Sequence, residues 1–257
     1  MTDSLPSGKP SFRTQLGWIP GFFFRPRSRF ASSIAKGEGL WLVPMTVLSA
    51  TTLMYVLARG WVGAHLAAMG ETPLPIDWQY WTPDMQNQYM QAQQATQGPV
   101  FLYVIPALGA LASLWLVWVL VGSLLRLTLT LFGGHNSSAA MNIAAWAGMP
   151  FALRDLVRTI YVLIQQRPIS AAGLSGFVTA PEAGALLFAQ KMLLFADLFT
   201  VWYILLLIIG VRAGNSISVG RAIAAVVIVV GVIFAARAGL AMVSSQFGGL
   251  IISRPFF

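Results

Sequence analysis

The sequence predicts an all-α integral membrane protein built as a five-transmembrane-helix bundle. Of the 257 residues, 57% are apolar and only 9% are charged, whereas a soluble domain carries roughly 25% charged residues. Five apolar segments approach the length that crosses a bilayer, and the basic residues between them are distributed unevenly. Much of the protein surface must therefore face lipid rather than water.

Each predicted span meets the length requirement, since about 20 mostly apolar residues cross about 30 Å of hydrocarbon. The five spans are Leu40 to Ala58, Val100 to Leu125, Ala139 to Ile164, Leu186 to Val211 and Ile217 to Val243. They divide the chain into a cytoplasmic segment (1–38), a membrane domain (39–245, with an outer loop 59–98) and an outer tail (246–257).

The charge of the connections predicts the orientation. If the N-terminus is cytoplasmic, the inner side carries Lys9, Arg13, Arg25, Arg27, Arg29, Lys36, Arg126, Arg212 and Arg221. The outer connections then carry Arg59, Arg167 and Arg254, together with the acidic residues Glu71, Asp77, Asp84 and Glu182. Because cytoplasmic loops are rich in Lys and Arg, we expect a multi-pass plasma-membrane protein with its N-terminus inside and its C-terminus outside.

Aromatic and basic residues alternate in the stretch from Trp18 to Ile34. Phenyl rings beside guanidinium groups suit the headgroup boundary of a bilayer, so this stretch predicts a short amphipathic segment on the cytoplasmic face with membrane lipid as its partner. Protein recognition is the alternative. The predicted lipid-anchoring residues are Phe22, Phe23, Phe24, Arg25, Arg27, Arg29 and Phe30.

The first outer loop is the one sizeable element predicted to lie outside the membrane. Its second half, Pro83 to Gln97, is rich in Gln and Met and predicts a short helix on the membrane surface. The aromatic residues form either an interfacial belt beside a solvated loop or a docking surface for an outer partner. The residues assigned to docking are Trp78, Trp81 and Tyr89.

Motifs for catalysis are missing from the sequence. There is no phosphate-binding glycine loop, and Phe177 replaces the closing glycine in the nucleophile-elbow-like run from Gly173 to Gly176. With no Cys and only His65 and His135, on opposite sides in this topology, neither a metal site nor another cofactor is expected. The basic residues form no groove-binding stripe, so nucleic acid is excluded. We expect a protein that is not an enzyme.

A charged residue within a membrane span has a large free-energy cost, so such a residue indicates a structural or functional role. The predicted intramembrane charge cluster is Arg154, Asp155, Arg158, Lys191, Asp197 and Arg237. At about 1.5 Å rise per residue, Arg154 and Asp197 both lie about 21 to 22 Å from the inner ends of their helices. They form either a structural pair or part of an outward-facing cationic cavity for an anionic lipid, substrate or partner; a proton relay is a third reading.

The third predicted span also contains a helix kink. Pro150 follows Gly148 in mid-span, and proline removes one backbone hydrogen bond. Neighbouring helices can satisfy the freed carbonyl within a membrane.

Three stretches resemble the Yip-domain family, named for interaction with Ypt/Rab GTPases. They are the aromatic and proline-containing run from Phe22 to Phe30 followed by Trp41 to Pro44; Phe132-Gly133-Gly134 with Trp146 and Pro150; and Val201-Trp202-Tyr203 with Ile209 to Arg212 and Ala222. The resemblance covers most of residues 18 to 240. It implies five helices, a cytoplasmic N-terminus and a scaffold or adaptor role.

The short basic N-terminal segment and the long outer loop resemble the bacterial members, which are associated with ABC exporters of the macrolide-efflux kind and their membrane-fusion adaptors. The leading hypothesis is therefore an accessory subunit in a hetero-oligomer with such an exporter. The alternatives are an independent small transporter or channel, and a lipid-organising or membrane-shaping protein.

Overall fold

The structure is a computed structural model. It describes residues 10–35, 39–70, 74, 78–134, 136–169, 173–177, 184–215 and 217–253. These residues are helical or lie in short connections, and none of them forms a β-strand. The predicted all-α class is confirmed. Lys9, Lys36, Glu71, Asp77, His135, Glu182 and Arg254 lie outside the described residues.

The helices of the described part are numbered in chain order. They are α1 (Phe12–Leu16), α2 (Ile19–Phe24), α3 (Pro26–Ala35), α4 (Leu42–Ala68), α5 (Pro83–Thr96), α6 (Ile105–Leu131), α7 (Ala140–Ala147), α8 (Met149–Gln165), α9 (Gly184–Leu193), α10 (Leu198–Gly214) and α11 (Val219–Ser253). A π-helical turn, Val100–Val104, leads into α6, and 3-10 turns lie at Trp78–Tyr80, Ser137–Ala139 and Gly173–Phe177.

Several helices have the length and apolarity of membrane spans. Among the described residues these are Leu42–Ala68, Val100–Leu131 and Val219–Val243. The pair Ala185–Leu193 and Leu198–Gly214 meets the same criteria together, but it is bent by 78°. Three or four spans therefore follow from length and composition, while the count of five and the orientation stay predictions.

Helix α4 is longer than predicted. It continues past Ala58 to Ala68, so Arg59, Trp61 and His65 lie in the helix rather than in the outer loop. Residues 59–68 contain no proline, and the helix ends only near Gly70, whose φ of +75° suits glycine. Helix α11 likewise continues to Ser253, into the segment predicted as an outer tail.

The third predicted span is two helices. Helix α7 ends at Ala147 and α8 begins at Met149, with Gly148 between them. The Gly148 N–H donates to the Ala145 carbonyl over 3.2 Å, a tightened turn that ends α7. Pro150 lies in the first turn of α8, where its missing N–H has no helical partner to lose.

The fourth predicted span is also interrupted. Asp197 precedes α10 in extended conformation, and its side chain accepts a hydrogen bond from the Thr200 N–H. This N-cap starts a new helix, so α9 and α10 meet at a bend. Lys191 lies in α9, on the other side of this bend from Asp197.

The chain forms two compact units. Unit 1 takes its described residues from Met1–Leu48, Leu116–Phe151 and Ala171–Phe257, and unit 2 from Ser49–Trp115 and Ala152–Ser170. In unit 1, α3 and α7 pack on α10, and α9 packs on α11. The largest fully buried side chains of unit 1 are Trp146, Phe22, Phe30, Leu40 and Met45.

Candidate functional site

Four aromatic side chains of unit 1 form a cluster that we call the aromatic anchor: Trp18, Phe22, Phe30 and Trp146. The Phe22 ring stacks on Trp146 with centroids 4.2 Å apart and meets Phe30 edge-on at 5.0 Å. Trp18 lies 6.2 Å from Trp146, whose indole N–H donates to the Leu40 carbonyl over 3.0 Å. Offset and edge-on ring pairs are favourable beyond the area they bury, so the anchor fixes α2 and α3 to α7.

Helix α3 also packs against two glycines of α10. A side-chain carbon at Gly210 would lie 3.1 Å from the Phe30 ring, and one at Gly214 would lie 2.8 Å from Ile34. Phe30 and Ile34 are four residues apart on one helix face, as are the two glycines. Small residues at this spacing allow close helix approach, so α3 lies in a groove that α10 provides.

This packing corrects part of the predicted lipid-anchoring segment. Phe22 is completely buried and Phe30 nearly so, because their rings fill the protein core rather than lipid. Phe23 contacts Trp202 edge-on, with centroids 5.1 Å apart. The Arg29 side chain occupies the space in which a Cβ at Gly21 would lie.

The remaining residues of the segment face outward. Phe24 is 85% exposed, and Arg25 and Arg27 are exposed as well. Arg25 has φ −138° and ψ 57°, which ends α2, and Pro26 then occupies the first position of α3, where proline is well tolerated. An open cleft at this break is lined by Arg25, Pro26, Arg27, Ser28 and Ala31.

Asp155 is the best-defined charged residue of unit 2. Its carboxylate is 6% exposed, accepts a hydrogen bond from the Thr52 hydroxyl over 2.8 Å and lies 3.5 Å from the Arg154 Nε. The Thr159 hydroxyl donates to the Asp155 carbonyl over 2.7 Å. A buried carboxylate is tolerable only when it is paired and hydrogen-bonded, and these contacts meet that requirement.

The predicted charge cluster is distributed over both units. Arg154, Asp155 and Arg158 are on α8 in unit 2, whereas the other three charges belong to unit 1. There, the Asp197 carboxylate accepts from the Thr200 N–H over 2.8 Å and from its hydroxyl over 2.9 Å. The Arg154–Asp197 pair stays a prediction.

Arg237 has an aromatic partner that the sequence reasoning missed. Its guanidinium carbon lies 4.3 Å from the centroid of the Phe195 ring, a cation–π geometry. Phe195 also lies 6.1 Å from Phe234. These contacts attach the connection between α9 and α10 to α11.

Three rings of unit 2 form a second aromatic group, which we call the outer ring cluster: Trp78, Trp81 and Tyr89. Their centroids lie between 5.5 and 5.7 Å apart. Gln86 donates to the carbonyls of Trp78 and Trp81, and the rings are half-buried. The predicted helix over this region is confirmed as α5, which begins at an N-cap formed by Thr82.

The described residues contain no group of three His, Asp or Glu residues placed to hold a metal ion. His65 stacks on Trp61 with centroids 5.9 Å apart. Ser175, at the nucleophile-elbow-like run, is 7% exposed within a 3-10 turn whose Leu174 N–H donates to the Ala196 carbonyl. A nucleophile elbow instead exposes its serine, so this turn is a structural connection.

Comparison with protein families gives one match. The family described as the Yip1 domain matches residues 21–240. No curated protein and no solved structure matches the chain. The matched range includes both Phe22 and Phe30 of the aromatic anchor, the two glycines of α10 and the outer ring cluster.

Proposed function

We infer that this chain, which belongs to the Yip1 domain family, is a non-catalytic accessory membrane subunit of a macrolide-efflux-type ABC exporter and its membrane-fusion adaptor. The family is membrane-associated and generally non-enzymatic. The basic character of the N-terminal segment and the long connection between α4 and α6 support the exporter association, since they resemble the bacterial members.

The proposal includes the membrane arrangement. Five spans would be formed by α4, α6, the α7–α8 pair, the α9–α10 pair and α11, with the N-terminus cytoplasmic and the C-terminus outside. The positive-inside bias of the connections supports this orientation. The protein is then a multi-pass component of the plasma membrane, and α5 faces the adaptor.

The single observation that carries the docking hypothesis is the outer ring cluster, which is formed by Tyr89 of α5 and by Trp78 and Trp81 just before that helix. The Gln86 side chain holds the backbone of the two tryptophans through their carbonyls, while Tyr89 accepts a hydrogen bond from Gln93 over 2.7 Å. No described residue of α5 is buried. Half-exposed Trp and Tyr side chains are typical of binding hot spots, so α5 and the turn before it are suited to a protein partner.

The intramembrane charges are proposed to be structural in this assembly. Asp155 is engaged by Thr52 and Arg154, and Asp197 caps α10. Both carboxylates thus have partners that stabilise the helices, which favours a scaffold over an independent transporter.

Purification from native membranes in mild detergent tests the function. The tagged chain should recover a transporter ATPase and a periplasmic-type adaptor at defined stoichiometry. Replacement of Trp81 and Tyr89 by Ala should remove the adaptor and leave the amount of folded chain unchanged. Gln88→Ala, at an exposed position of the same helix, is the matched control and should retain it. Recovery of the chain free of any transporter ATPase would refute the assignment.

A further inference from the structure

We propose that Phe24, Arg25 and Arg27 form a membrane-surface contact that binds the headgroup layer of an anionic bilayer, while the aromatic anchor holds the same segment to the protein. The sequence pattern alone assigned the whole segment to lipid; the structure assigns only its outward half. The proposal concerns a different surface from the outer ring cluster and does not depend on exporter association.

Contacts with α10 place the C-terminal half of α3 near a membrane boundary. Phe30 and Ile34 contact Gly210 and Gly214, in the last two turns of α10. That helix ends at Gly214, with Arg212 in its last turn. An arginine at the end of an apolar span lies where the headgroups begin, so this half of α3 is held at that depth, while Phe23, next to Phe24, contacts Trp202 nearer the start of α10.

The chemistry of the outward half is that of an interfacial segment. Phe24 is 85% exposed, which is unfavourable in water, and it is followed by the exposed guanidinium groups of Arg25 and Arg27. An apolar ring that enters the acyl boundary beside cations that contact phosphates is the usual composition of interfacial segments.

Charge complementarity selects the occupant. Residues 10–35 contain four arginines and neither Asp nor Glu, so this part of the chain carries no acidic group of its own. Arg29 packs across Gly21, whereas Arg25 and Arg27 line the open cleft at the start of α3. Phosphate groups of anionic lipids match such a pair of outward guanidinium groups. A protein with an acidic segment is the competing occupant.

Spin labelling of the full chain tests the contact, because the chain has no cysteine. Phe24→Cys carries a nitroxide, and Phe177→Cys, at an equally exposed phenylalanine of unit 1, is the matched control. Each protein is reconstituted alone into nanodiscs of neutral lipid or of neutral lipid mixed with phosphatidylglycerol. Accessibility to oxygen and to a water-soluble nickel complex then reports whether the label lies in the bilayer.

We expect the residue-24 label to enter the bilayer in anionic discs and to be less protected in neutral ones, with no such lipid dependence at residue 177. Replacing Arg25 and Arg27 by Ala should reduce the ratio of inserted to exposed label about 30-fold, from the roughly five- to sixfold expected per arginine at an anionic surface. Full water exposure in both discs would overturn the proposal, as would protection that appears only in complexes isolated from native membranes, since that result identifies a protein occupant.

Discussion

Phe22→Ala tests whether the N-terminal segment is held by the protein core. The change removes a completely buried ring that stacks on Trp146 and meets Phe30. Truncation of a buried Phe costs about 3 to 5 kcal/mol, and loss of the two ring contacts places this site toward the upper end. At about 2 to 4 °C per kcal/mol, we expect the unfolding midpoint of the purified protein to fall by about 10 °C or more.

Phe24→Ala is a matched control for that experiment. It removes the same ring two positions away at a site that is 85% exposed, so the free energy of unfolding should change by no more than about 0.5 kcal/mol. Near-UV circular dichroism follows unfolding in detergent, and limited trypsin digestion reports detachment at Arg29. Equal midpoints and equal digestion rates for the two variants would refute the anchor, because both rings would then face the same surroundings.

Three further changes test individual contacts, with unfolding midpoints as the common measurement. Gly210→Ala should destabilise by about 1 to 3 kcal/mol through overpacking against Ile143 of α7 and Phe30 of α3, whereas Gly231→Ala, which faces open space, should be neutral or slightly stabilising; equal losses would argue against close packing at Gly210. Asp197→Ala should cost about 0.5 to 2 kcal/mol and Asp197→Asn much less, because Asn also caps helices; equal costs would exclude capping as the main role. Thr52→Val should destabilise by about 1 to 3 kcal/mol because it leaves the Asp155 carboxylate one donor short, while Thr52→Ser should retain the donor and most of the stability; if both variants matched the unchanged protein, the hydrogen bond would be irrelevant.

Apolar length predicted the three continuous candidate membrane helices of the described residues, since length and composition are direct requirements of the bilayer. Helix α5 was also predictable, because Thr82-Pro83-Asp84 is a strong helix start. The interruptions were harder to predict. The bend before α10 contains no proline, but Asp197 followed three residues later by Thr200 before an apolar run is an N-cap signal. Its position within an apolar segment instead favours the interpretation of that carboxylate as an intramembrane charge.

The split of the N-terminal segment depended on residues far away in the chain. Phe22, Phe24 and Phe30 are alike in type and all have arginines nearby, so local pattern could not separate buried rings from exposed ones. The missing information was the groove at Gly210 and Gly214, whose spacing is itself a packing signal. The residues of the groove and of the helix that packs into it can be identified in the sequence, but the contact between them cannot be predicted from it.

The contact between α3 and α10 determines when this part of the protein can fold during synthesis. Trp146 and then Gly210 leave the ribosome long after Phe30, which precedes Gly210 by 210 − 30 = 180 residues. At a synthesis rate of about 5 to 20 residues per second, about 10 to 35 s pass between the synthesis of Phe30 and that of Gly210. During that interval the rings of Phe22 and Phe30 cannot be buried as they are in the folded protein. An incomplete chain that ends before α10 therefore exposes aromatic side chains next to its arginines. Completion of α10 is therefore the step at which Phe30 becomes buried, while Phe24, Arg25 and Arg27 stay at the surface.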